Sequence, residues 1–107
     1  MSEYTSIKSA VLLTLHERMP EIVDTFGVET ISLFGSVARG EDTAESDIDF
    51  VVSFSPEYDK YMNFLSLSDF LEELFGRKVD LLTERSIHPK LKPFIVSDSI
   101  PCNPAKA

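Results

Sequence analysis

Ile7, Val11, Leu12 and Leu15 recur at helical spacing and predict a first helix over residues 5–18. Pro20 suits the first position of a second, short helix that carries Ile22, Val23 and Phe26 and stops at Gly27. Thr30-Ile31-Ser32-Leu33-Phe34 is β-branched, aromatic and alternating, which predicts a strand. Gly35 to Gly40 turns the chain, and Asp47 to Phe54 predicts a second strand, broken by Pro56. Phe64, Leu67, Leu71 and Leu74 mark one face of a helix ended by Gly76. Lys78-Val79-Asp80-Leu81-Leu82 is a third strand. Leu91, Phe94, Ile95 and Ile100 fall to a last helical segment with Pro89 and Pro93 near its start, and residues 104–107 form a loose tail.

This order predicts an α/β (α+β) fold: a small mixed three-stranded sheet, order 1-2-3, flanked by helices. The short connection makes strands one and two antiparallel, and the intervening helix makes strands two and three parallel. The end of strand one, at Gly35-Ser36, then lies beside the start of strand two, at Asp47, and Asp80 starts strand three at the same edge. Side chains repeat every two residues along a strand, so Asp47 and Asp49 share a face while Ile48, Phe50 and Val52 occupy the other. Asp80, level with Asp49, joins the carboxylates.

Three ionised carboxylates in one patch repel each other, by about 4 kcal/mol per pair at ~4 Å and an effective dielectric of ~20. Such a cluster suits a cation, and all-oxygen donors suit a hard ion such as Mg²⁺. Two ions bridged by shared carboxylates are the usual apparatus for in-line displacement at phosphorus. The Gly35-Ser36 turn supplies the complement: glycine admits a phosphate close to the backbone, and Ser36 to Arg39 form one helical turn whose amides face an anion. Ser36 adds a hydroxyl and Arg39 a cationic group. Singly these signals also describe a cap, a turn and a strand-end charge; together they describe a site.

The 107 residues suit a single domain over 1–107. The formal net charge of −8, with thinly spread Lys and Arg, argues against direct nucleic-acid binding. No apolar run reaches membrane-span length and the N-terminus does not resemble a signal peptide, so no membrane role is expected and the cytoplasm is the default compartment. The single cysteine, Cys102, is read as a bystander thiol; His16 and His88 lack companion ligands and are read as structural or exposed. Tyr58, Tyr61, Met62 and Phe64 are assigned to packing. Arg77 and Lys78 lie where they could approach a phosphate, though solvent exposure explains them equally well, and Ser46 is expected to orient the Asp47 turn.

Leu33-Phe34-Gly35-Ser36-Val37-Ala38-Arg39-Gly40, then Ser46-Asp47-Ile48-Asp49, then Val79-Asp80-Leu81, resemble the DNA polymerase beta-like nucleotidyltransferase superfamily, and within it the minimal nucleotidyltransferases. The resemblance runs from about residue 5 to about residue 100. It implies that Gly35 and Ser36 hold a triphosphate, that Asp47 and Asp49 bind two Mg²⁺ ions, and that Asp80 completes the ion activating an acceptor hydroxyl. The hydroxyl would attack the α-phosphorus and expel pyrophosphate, with ATP the common donor. Minimal members resemble one half of a pair whose other half is a helical HEPN-type toxin, to which AMP is transferred. Because the chain shows no acceptor-binding domain, a partner protein is the expected acceptor. A non-catalytic module that blocks its partner sterically, and transfer to a small molecule, stay open.

Overall fold

The structure is a computed structural model and describes residues 3–102; the expected loose tail at 104–107 lies outside the described residues. The two helices expected at the N-terminus are one, α1 (Lys8–Phe26), with Pro20 inside it. Val11, Leu15, Met19, Ile22 and Phe26 are buried, and their near-helical spacing keeps one apolar stripe in phase across the proline. Proline offers no N–H to the His16 carbonyl and costs about 3 kcal/mol in a helix interior. Burial of each large apolar side chain returns about 1.5–3 kcal/mol. The stripe therefore overrides the local signal. Gly27 then ends α1 in the left-handed conformation, its amide donating to the Val23 carbonyl at 2.9 Å.

The remaining elements are β1 (Val28–Phe34), α2 (Gly35–Arg39), β2 (Ile48–Phe54), α3 (Tyr61–Phe75), β3 (Val79–Thr83), α4 (Lys92–Asp98) and β4 (Ile100–Pro101). Short 3₁₀ turns occupy Pro56–Tyr58 and Glu84–Ser86. As expected, β1 pairs antiparallel with β2 and β2 pairs parallel with β3. The sheet has four strands rather than three, in the order β3-β2-β1-β4. Ile100, expected in the last helix, instead pairs with Leu33 at the edge of β1. Two residues are too few to show alternation, and Pro101 suits an edge because it has no ladder donor to give.

One face of the sheet carries Ile31 and Leu33 of β1, Ile48, Phe50 and Val52 of β2, and Val79 and Leu81 of β3, all buried. They share a core with the α1 stripe and with Leu67 and Leu71 of α3. Phe50 stacks on Phe75, ring centroids 6.0 Å apart. The register leaves two rows on the opposite face: Phe34, Asp49 and Asp80, then Ser32, Val51 and Leu82. Ile95 and Val96 of α4 line a groove there with Ser32 and Val51. Among the described residues no helix is long and apolar enough to cross a membrane.

Replacing Pro20 with alanine restores the donor to His16 and should stabilise the protein by about 1 kcal/mol or more in urea denaturation. A loss of stability would instead show that a bend at Pro20 is needed to seat Ile22 and Phe26.

Candidate active site

The parallel register of β2 and β3 makes Asp49 and Asp80 direct neighbours across the two strands. Their strand-mates Ile48, Phe50, Val79 and Leu81 are fixed in the core, so both carboxylates face the side not covered by α1 and α3. Asp47 stands one residue before β2, where its Oδ2 lies 3.8 Å from Nζ of Lys78, and its charge reaches Asp49. The three aspartates singled out from the sequence are thus brought to one edge.

Gly35 follows directly. It stands at φ +76°, and a Cβ there would come within 2.2 Å of Oδ2 of Asp49. Only glycine permits this backbone to lie against that carboxylate. Val37 and Ala38 sink into the core and anchor α2, and Gly40 closes it with its amide on the Val37 carbonyl at 3.0 Å. Ser36 is half-buried at the start of this turn, its carbonyl accepting from the Glu41 amide at 2.9 Å. Arg39 is exposed and already engaged: Nε meets Glu41 Oε1 at 2.7 Å and Nη1 meets Asp98 Oδ2 of α4 at 2.7 Å. Its charge nevertheless favours ionised Asp49.

Burial first, and then the charges of Asp80 and Asp47, push Asp49 up to about 6 from an ordinary 3.8. Among the described residues no three His, Cys, Asp or Glu side chains converge as a ready-made ion cluster. Asp49 and Asp80 lie within hydrogen-bonding reach of each other, and the Lys78 ammonium lies by Asp47. Their chemistry still fits a hard divalent cation: every donor is oxygen, negative charge is in excess, and the strain on Asp49 is one that a cation relieves. A cleft of about 370 Å³ lined in part by Val52, Phe54, Thr83 and Lys92 lies at the far ends of β2 and β3, away from this chemistry.

Ser46 orients the turn before Asp47 as expected, its Oγ accepting from the Thr43 amide at 2.8 Å. Sequence reasoning missed Asp42, the buried acid of the fold's polar surface, which accepts from the hydroxyls of Tyr4 and Ser6 and from the Ile7 amide. Its cover is thin, made by these neighbours rather than by depth. That cover raises its pKa, but these hydrogen bonds, together with one from its own backbone amide, more than offset it and hold Asp42 below the ordinary value. Arg77 turns out to bond the spacer itself, with Nη1 3.1 Å from the Thr43 carbonyl and 3.3 Å from that of Ser46.

In metal-free protein the native state keeps the Asp49 proton until about pH 6, whereas the unfolded chain releases it near 3.8. Between these values the native state holds more protons, so stability falls as pH rises through about 6. Melting curves in chelator should show this fall in wild type and not in Asp49→Asn, which should also be the more stable of the two at pH 7. Equal pH profiles would sink the electrostatic account. The depressed Asp42 acts in a different window, losing stability only as pH falls below its ordinary value.

The sequence profile of the nucleotidyltransferase domain family matches residues 16–102. MJ1379 of Methanocaldococcus jannaschii, provisionally named a protein adenylyltransferase, is 44% identical over 91 residues, covering 83% of this chain and 89% of its own length. The protein adenylyltransferase MntA of Thermococcus cleftensis is 40% identical over 76 residues, 71% of this chain and 74% of MntA. A solved structure described provisionally as a minimal nucleotidyltransferase superposes with a TM-score of 0.74 at 32% identity, covering 86% of this chain and 93% of that one. The fold is also that of a chain in the complex of a tri-AMPylated Shewanella oneidensis HEPN toxin with its MNT antitoxin, at TM-score 0.54 and 22% identity, covering 89% and 68%. The carboxylate edge beside Gly35 therefore sits in a matching family frame, and this chain belongs to the nucleotidyltransferase domain family, as one of its minimal members.

Proposed function

We propose that the chain is a Mg²⁺-dependent protein adenylyltransferase that moves AMP from ATP to a hydroxyl of a helical HEPN-type toxin, serving as its antitoxin in the cytoplasm. The observation that carries this is the side-by-side register of Asp49 and Asp80 with Gly35 packed on Asp49. The names of the relatives support a protein acceptor and AMP, and the toxin complex of like fold supports the kind of partner.

Asp47, Asp49 and Asp80 would hold two Mg²⁺ ions, which when bound supply charge neutralisation at the phosphates and acidify the acceptor hydroxyl. Gly35 keeps the backbone clear for the triphosphate, and the Ser36 hydroxyl donates to a phosphate oxygen. Arg39 exchanges Glu41 and Asp98 for the phosphate chain, a trade between exposed ion pairs that costs little. Exposed Asp80 takes the acceptor's proton. The acceptor oxygen bonds to the α-phosphorus as the bond from that phosphorus to the bridging oxygen breaks, and pyrophosphate leaves with that electron pair.

Exposed Leu91, just before α4, and exposed Phe94 and Val96 on it favour a second reading, in which the chain neutralises its partner by binding alone. The two separate on intact mass. With ATP, Mg²⁺ and the helical protein encoded beside it, wild type should add AMP units to the partner. Asp49→Asn should slow this by about 10³-fold or more, the loss of several kcal/mol of charge stabilisation, and chelator should abolish it. An unmodified partner that Asp49→Asn still neutralises points to binding alone. AMP found on a small molecule instead points to that acceptor class.

A further inference from the structure

The stretch between Gly40 and β2 belongs to no helix or strand, and Glu41, Thr43, Ala44 and Glu45 are exposed. Such a loop moves unless it is tied. Asp47 stands at its end, so any slack in the loop becomes slack in a carboxylate of the site. A local turn, Thr43 to Ser46, gives the loop shape but does not attach it to the fold.

Two ties come from elsewhere in the chain. Asp42 accepts from the Tyr4 hydroxyl at 2.5 Å, from the Ser6 hydroxyl, and from the Ile7 amide at 3.1 Å, which fixes the first half of the loop to the entry of α1. Arg77 donates from Nη1 to the Thr43 and Ser46 carbonyls, which fixes the second half to the entry of β3. The Tyr4 hydroxyl joins the ties, donating to Asp42 and accepting from Arg77 at 3.1 Å, while the Arg77 guanidinium lies 5.7 Å from the Tyr4 ring centre. The connected bonds end at Ser46, the residue next to Asp47. The neighbour of Arg77, Lys78, has its ammonium on Asp47 itself.

The apolar core does not need this network. Tyr4 is 42% exposed, and Tyr4, Asp42 and Arg77 all lie outside the core cluster. Burying a carboxylate at the surface is unfavourable unless each partner is in place, so the network specifies one position for the loop. We propose that Tyr4, Asp42 and Arg77 are positioning residues that hold the spacer so that Asp47 stands beside Asp49 and Asp80 for metal and nucleotide. This rests on the cation role given to the three aspartates above.

Tyr4→Phe is the discriminating variant, because it removes the joining hydroxyl while leaving every charge and the ring over Arg77. Arg77→Met cuts the second tie, and Arg77→Lys retains its charge. Three quantities are measured on the full chain: melting temperature, amide exchange of residues 43–48 without metal, and Mn²⁺ affinity by electron paramagnetic resonance. Tyr4→Phe and Arg77→Met should melt close to wild type, exchange faster over 43–48, and bind Mn²⁺ about 10-fold more weakly, the usual effect of losing a group that orients a ligand. Arg77→Lys should recover part of the affinity. Wild-type Mn²⁺ affinity in Tyr4→Phe, whatever its exchange or melting, overturns the positioning role. Absence of Mn²⁺ binding by wild type overturns the cation role of the aspartates and this inference with it. Should Arg77→Met fail to fold, the Tyr4→Phe result decides alone.

Discussion

Two like charges held side by side set the terms for the rest of the molecule. Asp49 and Asp80 are paired in register on adjacent parallel strands, where their like charges repel. Nothing in the pair itself favours that closeness. It is imposed from the opposite face, where Ile48, Phe50, Val79 and Leu81 are locked against α1 and α3. A one-residue slip would carry the aspartates into the core and the apolar side chains out. The greasy face is therefore what keeps the charged face assembled, and the elevated Asp49 proton affinity registers its burial first and the like charges beside it second.

Gly35 sits under the same constraint. With Asp49 fixed, its carboxylate fills the space where a side chain on residue 35 would go. The turn that presents Ser36 and the strand that presents Asp49 are consequently fitted to each other, and neither can be altered alone. Arg39, spanning Glu41 and Asp98, ties that turn to α4 and through it to the open side of the sheet.

What the sequence revealed follows how far each signal travels along the chain. The aspartates and the Gly35 turn were legible because strand alternation is a two-residue rule and the connections fixed the topology. Pro20 misled, since a local preference for helix starts was weighed without Met19, which carries the apolar stripe across the proline. Ile100 was lost to the last helix because a two-residue strand has no period to detect. Asp42 was invisible for another reason: its partner Tyr4 lies 38 residues away, and side-chain networks of that span leave no pattern in sequence. The ion pair of Arg39 with Asp98, across 59 residues, was hidden in the same way.

The bond from Arg77 to Tyr4 joins residues 73 positions apart. Closing so long a loop is entropically late, and contacts of this kind form after local helices and hairpins have condensed. During synthesis, Gly35, Asp47 and Asp49 leave the ribosome well before Arg77 and Asp80, so an emerging chain carries an incomplete carboxylate edge with its spacer untied. The placement of Asp47 beside Asp49 and Asp80 is thus a property of the finished fold, reached when the segment entering β3 comes to rest against the segment entering α1.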